Sequence, residues 1–302
     1  IINDMKLIRA YKKLLLLEKP DIVLTYTSKP SIYAGYVCGK LGIPYIVNNA
    51  GLMETSGIFD KFMRLLYKKG WSKASCIMYQ NTHERDVINQ LLNNNVHYRD
   101  IPGSGVNIDE FSYTEYPKSD ETITFNYVAR IVKIKGIDEF LECAKRIKEK
   151  YCQVHFVLYG DYDDDEYKNV VDELQEQGIV EYGGVQLDMK PCIKACHAVI
   201  HPSYYEGMTN VVLEHSAMGR PCIGSNIPGV KEGIEEGKTG FLFEVKNVES
   251  MVRAVEKFIL LSHKDKKEMG RNARIKMEQE FSRDVVTNIY VEEIMKILGE
   301  NI

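Results

Sequence analysis

The chain of 302 residues is long enough for two domains of ordinary size, and its 44% apolar content supports packed cores. A net charge of −4 with both signs interspersed excludes the broad attraction of a nucleic-acid binder. Seven scattered cysteines without a C-x-x-C pair read as reduced thiols of a cytoplasmic protein, and no apolar run has the length of a membrane span or the pattern of a signal peptide. Residue Ile1 stands where a Met would start a whole chain, so the sequence reads as a piece cut at its N-terminus.

An amphipathic helix is expected over 6–19, with Leu7, Ile8, Tyr11, Leu14 and Leu15 interleaved with Lys6, Arg9, Lys12 and Lys13. Pro20 ends it, and Ile22, Val23 and Leu24 follow as a strand. A helix from Ser31 to Leu41 carries the small residues Ala34, Gly35 and Gly39 and stops at Gly42. Residues 44–47 form the next strand and lead into the loop Asn48, Asn49, Ala50, Gly51 and Leu52. A basic helix follows around Phe62, Leu65, Leu66 and Trp71, then a strand over 75–79, a helix from Glu84 to Leu92 and a strand over 98–101. Alternating strands and helices favour a parallel α/β sheet. Only about four strands precede Pro102, fewer than such a domain usually has, so its front portion is expected to be missing.

The turn-rich Pro102-Gly103-Ser104-Gly105-Val106-Asn107 reads as a linker. A second series begins with a strand over 123–128, and Ile137, Phe140, Leu141, Ala144 and Ile147 mark one helix face. Strands are expected over 154–158 and 179–182, a helix over 166–175 and a short helix near Ile193. Later strands fall at 222–223 and 241–243, and helices at 248–261, 266–279 and 285–298. The last helix has no strand to serve.

The stretch that organises this half is His201-Pro-Ser-Tyr-Tyr-Glu206-Gly-Met-Thr-Asn-Val-Val-Leu-Glu214. Ala198, Val199 and Ile200 read as a buried strand that Pro202 and Ser203 end. Met208, Val211, Val212, Ala217 and Met218 then repeat at helical spacing up to Gly219. Glu206 is thereby expected on the strand-to-helix loop and Glu214 about two turns into the helix, up to roughly 12 Å away. That is about the length of a ribose plus a diphosphate. The N–H groups of Gly207, Met208, Thr209 and Asn210 at the helix start suit a phosphate. Arg130 and Lys135 lie in the loop after strand 123–128, where ligands of α/β sheets bind, and two cations there would neutralise a diphosphate. The alternative is two solvated charges in a lysine-rich stretch.

Glu206 and Glu214, with seven residues between them, resemble the E-x7-E signature of the family 4 retaining glycosyltransferases, whose GT-B architecture pairs two Rossmann-like domains with parallel sheets. Arg130 followed by Lys135-Gly136 resembles that family's diphosphate clamp, with Ala129 where a glycine is usual. Tyr159-Gly160-Asp161, Gly183-Gly184-Val185, Gly219-Arg220-Pro221, Pro228-Gly229 and Gly240-Phe241-Leu242 extend the likeness. Thr27-Ser28-Lys29-Pro30, Gly51-Leu52 and residues 101–106 resemble the branch making capsule, O-antigen and glycan precursors, including N-acetylgalactosamine transferases acting on undecaprenyl-diphosphate sugars.

The resemblance implies an incomplete acceptor-binding domain over 1–106, a nucleotide-sugar domain over 107–282 and a helix over 283–302 that crosses back to the first. It implies a UDP-sugar donor, with UDP-N-acetylgalactosamine or a related hexose first in mind, a lipid-linked saccharide acceptor and no metal. Arg130 and Lys135 would stabilise the leaving diphosphate, Glu214 would bind the ribose, and Glu206 would hold the donor sugar and steady an oxocarbenium-like centre. Gly160 and Val185 would lie along the nucleotide. Many members have a His in the loop that here reads Asn48-Asn49-Ala50-Gly51.

Asp161-Tyr162-Asp163 fits a D-x-D metal site, but Asp163, Asp164, Asp165 and Glu166 fit a helix start better. Residues 233–239 are one residue short of a P-loop and precede a strand. Cys192, Cys196 and His197 fit core packing better than zinc, the histidines lack metal-ligand spacing, and His201 is read as structural rather than lining the site. The basic run 61–73, with its aromatic end, suits either an anionic membrane surface or a plain solvated helix. The expected protein is a cytoplasmic glycosyltransferase, peripheral on the inner membrane face. A UDP-sugar epimerase of the same fold and a nucleotide-sugar-binding fragment without turnover remain open alternatives.

Overall fold

The computed structural model describes residues 2–49, 57–93, 96–119, 121–163 and 165–299. Ala50, Gly51, Leu52 and Asp164, singled out above, lie outside the described residues. The chain divides into two compact units: unit 1 is Ile1–Ser104 with Asp284–Ile302, and unit 2 is Gly105–Arg283.

Unit 1 runs α1 (Ile2–Glu18), β1 (Val23–Tyr26), α2 (Ser28–Leu41), β2 (Tyr45–Asn48), α3 (Gly57–Trp71), β3 (Cys76–Tyr79), α4 (Thr82–Leu92) and β4 (Tyr98–Asp100). Its four strands are parallel in the order β1-β2-β3-β4. Alternate side chains of such a strand face opposite ways, and both faces are buried here. Tyr45, Val47, Ile77 and Tyr79 join a core with Ile32, Tyr67, Trp71 and Ile88. Ile46, Cys76 and Met78 join the opposite core, which Ile289, Tyr290, Ile294 and Ile297 cover from the last helix of the chain (Arg283–Leu298).

The small residues read in α2 serve a close helix crossing, because a Cβ on Gly35 would come within 2.5 Å of the Gly70 carbonyl oxygen of α3. α2 begins earlier than expected, at Ser28, since Pro30 in a first turn gives up an N–H that has no helical partner anyway. Trp71 is 1% exposed, so the aromatic end of the basic helix belongs to the core and not to its outer face.

Unit 2 runs β5 (Ile123–Val128), α5 (Ile137–Lys150), β6 (Val154–Tyr159), α6 (Glu166–Glu176), β7 (Glu181–Gly184), α7 (Lys190–Ala195), β8 (Ala198–His201), α8 (Asn210–Ala217), β9 (Cys222–Ser225), β10 (Gly240–Phe243), α9 (Val248–Leu260) and α10 (His263–Glu280). The last helix of the chain, α11, follows. The six parallel strands lie in the order β10-β9-β8-β5-β6-β7. The expected stripe of α5 is buried throughout, beside Met251, Val255 and Phe258 of α9.

Two expectations shift for local reasons. β7 starts at Glu181 rather than Ile179, because the N–H groups of Ile179 and Val180 both donate to the Leu174 carbonyl and so close the end of α6 at left-handed Gly178. α8 starts at Asn210 with Thr209 as an extended N-cap, so Glu214 stands little more than one turn into the helix instead of two.

Buried Arg220 ties this half together. It is 0% exposed and donates to the carbonyls of Ile193, Lys194, Thr114, Glu115, Met218 and Gly219 and to the Thr114 hydroxyl, while its guanidinium lies over the Tyr116 ring. A buried cation so fully satisfied holds α7, the end of α8 and the irregular segment 114–116 in one geometry.

Candidate nucleotide-sugar site

All strands of unit 2 point the same way, so the loops after β5, β6, β7, β8 and β9 share one edge. β5 lies between β6 and β8, and the strand order reverses there. Such a reversal opens a crevice at the carboxyl ends of the strands. Lys135 follows β5 and Glu206 follows β8, one on each side of it.

These two side chains touch. Lys135 Nζ lies 2.6 Å from Glu206 Oε1, and His201 Nε2 lies 3.1 Å from the same oxygen. The side chains of Lys135, Glu206 and His201 are 20%, 15% and 3% exposed, so the cluster is largely withdrawn from water. Two glycines allow the loops to meet. Gly136 has φ +72°, and a Cβ there would overlap the Pro202 carbonyl oxygen; the Tyr204 N–H donates to the Ile134 carbonyl alongside. Gly229 has φ +85°, and a Cβ there would come within 2.6 Å of the Glu206 carbonyl oxygen.

Burial alone would raise the pKa of Glu206. The hydrogen bond and charge of His201, followed by Lys135, outweigh it and bring the carboxyl to about 2. Glu214 behaves oppositely. Its burial, with Glu110 nearby, raises it to about 7 against the opposing charges of Arg283 and Lys190. The two acids of the motif therefore meet neutral pH in different states.

The remaining expected residues divide. Arg130 is 61% exposed and is ion-paired with Asp163, apart from the Lys135 cluster in its pairing. Gly160 packs against Ala129, its carbonyl accepts the Tyr182 hydroxyl, and its N–H donates to Gly184, which places Val185 next along the same edge with 60% of its surface exposed. The backbone expected to face a phosphate is partly committed: the Thr209 N–H donates to the Gly229 carbonyl, so the helix start proper is the turn beginning at Asn210. The half-buried Met208 side chain packs against the cluster of Leu213, Ala217, Met277 and Phe281.

Three partners were missed or misjudged from sequence. His201, read as structural, contacts the acid; Asp163, read as part of a helix start, holds Arg130; Gly229 is what allows the Glu206 loop its course. The Cys192-Cys196-His197 grouping disperses as expected for packing. The Cys196 thiol donates to the Ile193 carbonyl, and the His197 ring sits between the Thr124 N–H and the Ser119 carbonyl.

Residues 109–276 match the family described as glycosyl transferases group 1, which covers more than half of the chain, and the chain belongs to that family. It is 27% identical over 321 residues to the UDP-Gal:α-D-GlcNAc-diphosphoundecaprenol α-1,3-galactosyltransferase of Escherichia coli, spanning 98% of this chain and 81% of that one. It is 26% identical to the N,N′-diacetylbacillosaminyl-diphospho-undecaprenol α-1,3-N-acetylgalactosaminyltransferase of Campylobacter jejuni, over 69% of this chain and 57% of the relative. Among solved structures, Anabaena Alr3699/HepE in complex with UDP superposes with a TM-score of 0.81 at 16% identity, over 97% of this chain and 82% of that one. The fold is GT-B, with two Rossmann-like parallel sheets.

Proposed function

We propose that the chain moves a sugar from a UDP-sugar to a lipid-linked saccharide, retaining the anomeric configuration, in the synthesis of capsule, O-antigen or a related glycan precursor. The observation that carries this reading is the Lys135–Glu206–His201 cluster at the reversal of strand order. The two relatives named above act, by their names, on sugars linked through diphosphate to undecaprenol, and UDP-galactose and UDP-N-acetylgalactosamine are the first donors to offer.

In this reading the donor diphosphate settles beside Lys135, and Arg130 swings from Asp163 to meet it. As the bond from the anomeric carbon to the diphosphate oxygen breaks, charge grows on that oxygen. Lys135 and the first-turn N–H groups of α8 oppose that charge from fixed positions, joined by the repositioned Arg130. The acceptor hydroxyl attacks the face the diphosphate leaves and passes its proton to the departing oxygen. Glu206, ionised through its contact with His201 and Lys135, holds the sugar hydroxyls and faces the cationic anomeric carbon. Glu214 takes the ribose hydroxyls, while Gly160 and Val185 border the base. No metal enters these steps.

A lipid-linked acceptor is met at a membrane surface. On α3, Phe62 and Leu65 are 48% and 49% exposed, and Lys61, Lys68 and Lys69 are exposed around them. That face suits the anionic inner leaflet of a cytoplasmic membrane. The test is mass spectrometry of products formed from polyprenyl-diphosphate sugars and a panel of UDP-sugars. A new glycolipid with release of UDP is expected. Interconversion of the donor alone, or UDP binding with no product from any donor, would sink the reading.

A further inference from the structure

A second cluster lies in unit 1, on the sheet face that α11 covers. It joins Cys76 at the start of β3, His97 just before β4 and Glu293 in the middle of α11. The Cys76 sulfur, a His97 ring nitrogen and a Glu293 carboxylate oxygen all lie within 4.8 Å of one another. Cys76 is 0% exposed and Glu293 3%. Residues so far apart in sequence give no spacing signal, which is why the histidines looked unsuited to a metal.

Glu293 is the informative member. A carboxylate this buried normally has each oxygen satisfied, because an unpaired one forfeits its hydration. Glu293 Oε1 lies 2.9 Å from His97 Nε2, yet it makes no hydrogen bond of acceptable geometry. Its neighbours Ile289, Ile294 and Ile297 have no donor to offer, and the buried Tyr290 hydroxyl makes no hydrogen bond to it. The Glu293 carboxylate instead keeps the company of a thiol and an imidazole, as it would around a cation.

The geometry points to a divalent cation site of the zinc class, held by Cys76 Sγ, His97 Nε2 and the Glu293 carboxylate, that fastens α11 to β3 and to the approach to β4. Sulfur, nitrogen and oxygen together select a borderline-soft ion over magnesium or calcium. Zinc holds such donors at about 2.0 to 2.3 Å, so with the imidazole and carboxylate already 2.9 Å apart the side chains need to adjust by only about 1 Å. The His97 side chain is 45% exposed, which gives the ion an entry path and leaves a fourth position for water. On binding, the thiol releases its proton to solvent and the sulfur binds as thiolate. This inference does not depend on the sugar-transfer reading.

The test uses the full chain without an affinity tag, stripped of metal and titrated with Zn2+ by calorimetry, then with Co2+ by absorption. One equivalent per chain is expected, with a higher melting temperature and a thiolate-to-cobalt charge-transfer band. His97→Ala changes an exposed side chain and should fold normally by circular dichroism. It should weaken zinc binding at least tenfold, and Cys76→Ser should abolish the charge-transfer band. Less than one equivalent bound, a cobalt complex without thiolate character, or undiminished affinity in His97→Ala would overturn the site. If Cys76→Ser, at a buried position, folds poorly, His97→Ala decides alone.

Discussion

The two acids of the central motif are eight positions apart in sequence, yet they occupy opposite electrostatic regimes. Glu206 sits where two loops converge, and the nitrogens of His201 and Lys135 hold it ionised, near 2. Glu214, on the first turn and a half of α8, has burial and Glu110 against it and rises to about 7. Burial acts on both; what differs is whether a cation is within contact distance. In the proposed reaction the first must stay negative throughout, whereas the second only has to bind hydroxyls, which it does better once ionised.

The largest expected effect breaks the first half of that contrast. Glu206→Gln keeps the shape and removes the charge, and transfer should fall on the order of a thousandfold, about 4 kcal/mol of barrier. UDP affinity by calorimetry should change little. The same variant should lose part of the acid sensitivity of folding. A depressed carboxyl contributes stability above about pH 4.5, its ordinary value, that disappears as pH falls toward 2.

Loss of Arg220 comes next and tests the frame instead of the acids. Arg220→Ala removes a donor from six carbonyls and a hydroxyl, and of the carbonyls Ile193 and Met218 keep another. It should cost about 3–5 kcal/mol in urea unfolding, and a smaller loss would mean the segments it joins hold themselves.

Glu214→Gln sharpens the second half. A raised carboxyl contributes stability below about pH 4.5 that is lost as pH rises through about 7. The variant should therefore unfold at higher urea than the parent at pH 8, by up to about 3 kcal/mol, with the difference vanishing at pH 4. Donor affinity should fall about tenfold and lose its rise between pH 6 and 8, because a carboxylate accepts ribose hydroxyls better than a carboxamide.

The smallest effect concerns the exposed arm of the site. Asp163→Asn releases Arg130 from its ion pair, and UDP should bind a few-fold tighter, as expected for a surface pair worth under 1 kcal/mol. Unchanged or weaker binding would mean that Arg130 serves Asp163 and not a diphosphate.

Most of the architecture could be read in advance because it follows from local periodicity. The α5 stripe from Ile137 to Ile147 and the strand at 123–128 appear where the pattern put them. The shifts at β7 and α8 come from end effects, in which Gly178 and Thr209 spend backbone groups outside the regular element. The site was legible as a set of residue types but not as a set of contacts. Nothing in the sequence near Glu206 shows that His201 would turn onto it, and Lys135 is 71 residues away. Likewise, the pairing of Arg130 with Asp163 depends on β5 and β6 lying side by side.

The order of the polypeptide has a consequence for its birth on the ribosome. The stretch from Gly105 to Arg283 is made between the sheet of unit 1 and α11, the helix that packs on one face of that sheet. Until α11 arrives, Ile46, Cys76 and Met78 lack the Ile289, Tyr290, Ile294 and Ile297 cover and present a sticky face to the cell. A nascent chain stalled short of α11 would thus be a ready client for chaperones.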